Sequence, residues 1–196
     1  YESKIRLYAM PADQIHTIKQ KFDLIIINSV TQYFPDLNYF FDILEKCEEK
    51  LNPDGTIFIG DIRSFDLAEK FYNDIAHFKF PNDEEKARAY ALRTKNKDNE
   101  TLFSPFLFQN LSAVFPWIKS IEVSEKISNF SNEMSKFRFD VIIKTSGEKN
   151  VERLLSFPSI TTLSSRISDS VQQITIDEHS YQLISLHPKL FQLAKL

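Results

Sequence analysis

The sequence has little glycine. Of 196 residues only Gly55, Gly60 and Gly147 are glycine, and none can supply the glycine-rich turn that cradles a phosphate or nucleotide at a helix start. Cysteine is scarcer still: Cys47 is alone, which excludes a disulfide within the chain and fits a reducing compartment. Its place in an amphipathic helical pattern marks it as a small buried hydrophobe. No apolar run approaches the roughly 18 residues of a membrane span and no signal-peptide pattern opens the chain, so a soluble, cytoplasmic protein is expected. Positive charge is not in excess either. The net charge is −3 with basic residues scattered among acids, which gives no footprint for nucleic acid. His16, His77, His179 and His187 lie far apart with no spaced ligand partners, so no metal site is expected. Ser29 lacks the glycine-flanked elbow of a covalent hydrolase.

What is present is a core-forming chain, 42% hydrophobic and 26% charged, long enough for one domain with an appendage. Leu24 to Ile27 follow Asp23 without alternation, as expected of a strand buried on both faces in a parallel sheet. Leu37, Phe40, Phe41, Leu44, Cys47 and Leu51 then recur at helical spacing, with Asp36 placed to cap the start and Asn52-Pro-Asp-Gly55 as a turn. Thr56 to Asp61 is a second continuous apolar strand, so Asp23 to Asp61 has the length and pattern of a parallel strand, helix, strand unit.

Around this unit, Lys4 to Met10 alternates and predicts a short strand. Ser64 is placed to cap a helix with the stripe Leu67, Ala68, Phe71, Ile75 and Phe78, and Asn82 with Glu85 has capping-box spacing before a solvated helix that carries Ala87, Tyr90 and Ala91. Ser104-Pro105 opens a further helix with Phe108, Leu111, Val114 and Phe115 on its buried side. Trp117 to Glu125 and Lys136 to Lys144 read as strands. Beyond Gly147, helices are expected over 151–156 and within the Ser/Thr-rich stretch to Ser170. Strand-like runs follow at Gln173–Ile176 and Tyr181–Leu186 about a turn at Asp177-Glu-His-Ser180. The domain division expected is a core over 1–145 and a trailing segment over 146–196.

Three polar clusters fall just past the predicted elements: Ala12-Asp13, Asn28-Ser29 with Gln32-Tyr33, and Asp61-Ile-Arg63. Ligands of open α/β sheets sit outside the carboxyl ends of the strands, and three clusters in succession at one edge point to a ligand site. Taken singly, each has an equally ordinary reading as a helix cap or an ion pair, Arg63 with Asp61 or another acid.

The stretches Asn28-Ser-Val-Thr-Gln-Tyr-Phe-Pro35, Asn52-Pro-Asp-Gly-Thr-Ile-Phe-Ile-Gly-Asp-Ile-Arg63 and Asn132-Glu-Met-Ser-Lys-Phe-Arg-Phe-Asp-Val141 resemble successive motifs of the methyltransferase domains embedded in nonribosomal peptide synthetases. The match runs from about Ile5 to Lys144. Thr31, Met134, Ser135, Lys136 and Phe139 depart mildly from the family pattern. The resemblance implies a class I, Rossmann-like α/β fold and S-adenosylmethionine as methyl donor. The methyl acceptor it implies is the amino group of a carrier-bound aminoacyl thioester, with adjacent synthetase domains as partners. It further implies that Ala12, Asp13, Asn28 and Ser29 bind the cofactor, Asp13 reaching the adenine amino group and Asn28 and Ser29 lining the methionine end, and that Gln32 and Tyr33 face the acceptor. Tyr33, Asp61 and Glu133 are the candidates near the acceptor for removing its proton, with Arg63 and Arg138 fixing neighbours or substrate. O- or C-methyl transfer and an inactive spacer are the alternatives.

The same resemblance implies that the glycine-rich loop and the ribose-binding acid, with the first two strands, lie outside these residues. In the family those strands lie between the third and fourth, so a hole is expected in the sheet next to the Asp23–Asn28 strand. The expectation is that the chain is the C-terminal part of a longer polypeptide, and that on its own it binds no cofactor.

Overall fold

The computed structural model describes residues 5–126, 132–146, 172–176 and 179–183. Its centre is an open four-stranded sheet in the order β1-β2-β4-β3, formed by Phe22–Asn28 (β1), Leu51–Arg63 (β2), Ser120–Glu125 (β3) and Arg138–Lys144 (β4). β1 and β2 are parallel, joined by the helix Leu37–Lys50 (α1), while β4 runs antiparallel to both β2 and β3. The parallel unit is therefore the one the apolar runs predict, and the architecture is a mixed α/β sheet of the expected partial Rossmann-like kind.

α1 forms where the apolar spacing places it. The Asp36 side chain accepts from the Tyr39 amide, and Phe40, Phe41, Ile43, Leu44 and Cys47 are buried against the sheet. Each such side chain contributes roughly 1.5–3 kcal/mol by leaving water. Burial also pushes the Cys47 thiol up to about 12, as suits a core residue. Phe103 and Phe108 close the core from the other direction, each edge-on to Phe40 with ring centroids 5.1 and 5.5 Å away. Ser104 caps the helix Pro105–Gln109 (α4) by accepting from the Phe106 amide. The chain bends at Asn110 into Leu111–Val114 (α5), so the single predicted helix is two short ones on one buried stripe.

Several expectations are corrected. β1 is not buried on both faces: Ile25 and Ile27 are buried, but Leu24 is 51% and Ile26 62% exposed. No layer covers the Leu24 and Ile26 face among the described residues, so the continuous apolar run becomes an alternating strand. Residues 5–10 form no strand, and Ile5 and Leu7 are exposed. A strand exists through its ladder, and β1 carries no partner on its outer edge among the described residues. Phe22 pairs with Leu51 but Leu24 with Thr56, so the Asn52–Gly55 turn loops out of the ladder inside β2, with Asp54 at φ 66°.

The helix Ala68–Lys79 (α2) has no side-chain cap. Ser64 is instead buried in a bridge to Phe103, and Phe78 is 91% exposed while Tyr72 and Ala76 are buried, a stripe rotated from the predicted one. The helix Glu84–Lys97 (α3) is capped by Asp83, not Asn82, and packs Ala87 and Ala91 against α2. Asn132 and Ser135 form a reciprocal capping box on the short helix Glu133–Lys136 (α6), a cap the sequence reading did not identify. Gln172–Ile176 (β5) and His179–Leu183 (β6) pair antiparallel, with His179 and Ser180 already in the second strand and not in the turn. The helices expected over 151–156 and up to Ser170 lie outside the described residues. Among the described residues no helix is long and apolar enough to cross a membrane.

Candidate functional site

β1 ends at Asn28 and β2 breaks its register at the neighbouring position two residues before its own end, and both pass there through residues in the left-handed region, Ser29 at φ 59° and Asp61 at φ 63°. Neither is glycine, so each conformation costs about 1 kcal/mol or more and persists only because its surroundings hold it. Three bonds hold this pair. The Ser29 amide donates to the Gly60 carbonyl at 3.0 Å, the Ser29 hydroxyl donates to Asp61 Oδ2 at 2.9 Å, and the Asp61 amide donates to Asp140 Oδ1 at 2.8 Å. The β2–β4 register breaks between Ile59 and Ile62, and that break aims Asp61 away from the ladder.

Asp61 is 2% exposed, a burial that a carboxylate tolerates only with partners. Arg138 Nη1 donates to its Oδ2 at 2.7 Å, while Arg138 Nε and Nη2 both donate to Glu133 Oε1, at 3.1 and 2.7 Å. Asp61 Oδ1 is buried and accepts no hydrogen bond, with Lys126 Nζ 3.7 Å away and itself 2.9 Å from Asp140. Gln32 Oε1 and Thr31 Oγ1 are likewise buried without a hydrogen-bond partner. Orphaned buried acceptors at one sheet edge are what a site short of a ligand's donors presents.

Asn28, exposed at the end of β1, lies directly over Gly60: a Cβ on Gly60 would stand 2.2 Å from Asn28 Oδ1. Its Nδ2 donates to the Ser29 hydroxyl at 3.2 Å. Ala12 and Asp13 sit in the 3₁₀ turn Ala12–Thr17, and Asp13 Oδ1 is 3.5 Å from the Tyr39 hydroxyl on α1. Tyr39 in turn meets Phe34 edge-on at 5.0 Å, linking that turn to the loop that holds Gln32 and Tyr33. Gln32 is buried and Tyr33 is 70% exposed.

Arg63 belongs to a second cluster. Its Nη1 is 2.6 Å from Glu100 Oε2 and 2.8 Å from Asp98 Oδ2, and its guanidinium lies 5.0 Å from the Phe71 ring centroid. Burial acts to lower the Arg63 pKa, but these two acids outweigh it and hold the value above the ordinary one. Tyr72 donates to Asp98 at 2.6 Å, and its phenol is pushed up to about 12 by burial and then by that carboxylate. Asp98 stays below the ordinary carboxylate range. Burial would raise it, and the bonds from Tyr72, the Glu100 amide and Arg63 prevail. Arg63, Phe71, Tyr90, Glu100, Glu133 and Arg138 line a single cleft of about 650 Å³ between the sheet end and the α2–α3 pair.

The structure thus brings Asn28, Ser29, Asp61, Glu133 and Arg138 into one bonded network. Arg63 stands with different acids on the same cleft, and Ala12 and Asp13 lie in the turn that meets the first turn of α1 at Tyr39. Tyr39, Asp98, Glu100, Thr101, Lys126 and Asp140 are participants that the sequence reading did not name. Asp98 and Glu100 end a charged run that reads as solvated surface, so only their contacts with Arg63 and, for Asp98, with Tyr72 distinguish them. Among the described residues no group of three or more His, Cys, Asp or Glu is placed to hold a metal ion.

No family model matches the chain. It is 35% identical over 129 residues to chondramide synthase cmdD of Chondromyces crocatus, a match covering 65% of this chain and 3% of that protein. It is also 32% identical over 151 residues to the nonribosomal peptide synthetase TES of Alternaria alternata, covering 72% of this chain and again 3% of the relative. Among solved structures, the plantazolicin methyltransferase BpumL in complex with a triazolic desmethylPZN analog and SAH is similar over 72% of this chain and 61% of that one. The identity is 12% and the TM-score 0.42. The chain spans about 3% of the length of these two synthetases. By sequence it is a relative of one short segment of the nonribosomal peptide synthetases.

Proposed function

We propose that this chain forms the acceptor-facing half of an S-adenosylmethionine-dependent methyltransferase within a longer synthetase, and that the acceptor is the amino group of a carrier-bound aminoacyl thioester. One observation carries the reading: Ser29, just past β1, and Asp61, at the register break near the end of the parallel strand β2, are held together in strained geometry, with Asp61 Oδ1 buried and lacking a donor. The motif resemblance and the kinship with nonribosomal peptide synthetases support the same assignment.

The residues present fit one end of the cofactor. Gly60 leaves room for the Asn28 side chain to lie flat at the strand end, and Asn28 with Ser29 offers an amide and a hydroxyl there. Asp13 offers a half-buried carboxylate beside Tyr39 in the first turn of α1. With only three glycines, these 196 residues hold no glycine-rich loop for the remainder. When bound, S-adenosylmethionine supplies a methyl group on a sulfonium, already activated for displacement. The protein's tasks are then to orient the acceptor and exclude water.

An ammonium acceptor must also lose a proton before it attacks. Asp61 is poorly placed to take it, since Oδ2 is occupied by both Ser29 and Arg138, while Oδ1 is buried, on a residue only 2% exposed, with the Lys126 ammonium 3.7 Å away. Glu133 accepts from Arg138 through Oε1 alone and lines the cleft, 41% exposed at its side chain, so the proton is assigned to Glu133 Oε2. Arg138 orients both carboxylates, and Tyr33, exposed on the loop after β1, faces the acceptor.

Isothermal titration of S-adenosylmethionine into the full-length polypeptide that carries this chain tests the reading. Binding is expected, weakened about 2- to 10-fold in Asn28→Ala, the range for losing one hydrogen bond at an exposed strand end. Absence of binding in the full-length protein would make the segment an inactive spacer.

A further inference from the structure

The loop that holds Tyr33 is pinned from outside its own sequence, by Thr101. The Thr101 amide donates to the Gln32 carbonyl at 2.8 Å and the Thr101 hydroxyl donates to the Phe34 carbonyl at 2.7 Å, so one residue grips the backbone on both sides of Tyr33. Within the loop itself the backbone bonds of this stretch are Tyr33 to Val30 and Phe34 to Thr31, a single 3₁₀ turn. So short a turn does not hold its shape unaided.

Thr101 lies in a strap, residues 98–103, that crosses from the end of α3 to the core, and Arg63 holds the strap at both ends. Its guanidinium grips Asp98 and Glu100 at 2.8 and 2.6 Å, while its carbonyl accepts from the Phe103 amide at 3.0 Å. The Glu100 amide donates to Asp98 Oδ1 at 2.9 Å, which closes the turn before Thr101, and the Phe103 ring is buried against Phe40 and Phe108. Both carboxylates bind the same nitrogen, Nη1, of a side chain that is 8% exposed.

We infer that Thr101 is a positioning residue, and that Arg63 acts through it: the clamp on Asp98 and Glu100 sets the strap, and the strap sets Gln32 and Tyr33 against the acceptor. This rests on the reading of Gln32 and Tyr33 as the acceptor-facing segment. It adds a determinant of their geometry that lies 68 residues along the chain from Tyr33.

Thr101→Val keeps the size and the amide but removes the bond to Phe34, and Thr101→Ser restores the hydroxyl. In the full-length polypeptide, Thr101→Val is expected to lower kcat for methyl transfer about tenfold or more, the scale on which a displaced reacting group acts. The S-adenosylmethionine KM is expected to stay within about twofold. Thr101→Ser is expected to recover most of the rate, and amide hydrogen exchange in peptides spanning residues 31–34 is expected to rise in the valine variant alone. Unchanged kcat and unchanged exchange in Thr101→Val would overturn the inference, as would a rate loss that serine fails to rescue. Should the wild-type protein transfer no methyl group, the methyltransferase reading fails. The exchange comparison still decides whether Thr101 braces the loop.

Discussion

Replacing Arg138 by methionine tests the network at the strand ends through its most buried ion pair. Asp61 and Arg138 meet at 2.7 Å with side chains 3% and 12% exposed, so the change strands a carboxylate in the interior. Removing one partner of a buried pair costs roughly 3–5 kcal/mol. Two features reduce that here: Lys126 Nζ, 3.7 Å from Oδ1, can move closer, and the Ser29 hydroxyl still donates to Oδ2. A loss of about 3 kcal/mol is expected, which for a chain of this size lowers Tm by about 6–12 °C. Urea unfolding followed through Trp117 measures it. The decisive comparison is the cycle with Asp61→Asn, a residue that tolerates the left-handed backbone. In the double variant the charge and its partner are both gone, and a coupling of about 1–3 kcal/mol is expected. Additive single-variant effects would refute the claim that Arg138 and Asp61 act as one unit.

Two further outcomes follow from the same geometry. Gly60→Ala places a Cβ where Asn28 Oδ1 and the Phe58 ring now lie, 2.2 and 2.6 Å away. Both can swing aside, so a stability cost of only about 1–2 kcal/mol is expected with a larger proportional loss of S-adenosylmethionine affinity, read by titration of the full-length protein. Asp98, held below the ordinary carboxylate range, contributes stability that is present above its unfolded pKa of about 4 and is lost as pH falls through its folded value. Asp98→Asn is therefore expected to be less stable at neutral pH and to show a shallower loss on acidification, measured by urea midpoints from pH 7 to pH 2.

The elements that were legible in the sequence are those whose partners lie near in the chain. The β1-α1-β2 unit follows from apolar runs, the Asp36 cap and the Asn52–Gly55 turn, all local signals. Misreadings came where a distant layer decides the outcome. Leu24 and Ile26 look like core in one dimension and are exposed because nothing among the described residues covers their face. Phe78 fits a helical stripe, yet the packing of α3 against α2 selects Tyr72 and Ala76. The candidate residues at the strand ends are named from the sequence because sheet edges gather polar clusters. Their bonding is not, since Asp61 meets Arg138 and Arg63 meets Asp98 and Glu100 across 77, 35 and 37 positions. Spacing in sequence carries no signal for such pairs.

The central claim is that a methyl group passes to an amine at this strand edge. Its most direct measurement is an incubation of the full-length polypeptide with methyl-labelled S-adenosylmethionine and three carrier-bound acceptors: an aminoacyl, a hydroxyacyl and a β-ketoacyl thioester. Mass spectrometry then locates the label. Label on the aminoacyl nitrogen, lost in Glu133→Gln while S-adenosylmethionine still binds, is the predicted result. Label on oxygen or carbon, or transfer that Glu133→Gln leaves untouched, would contradict it.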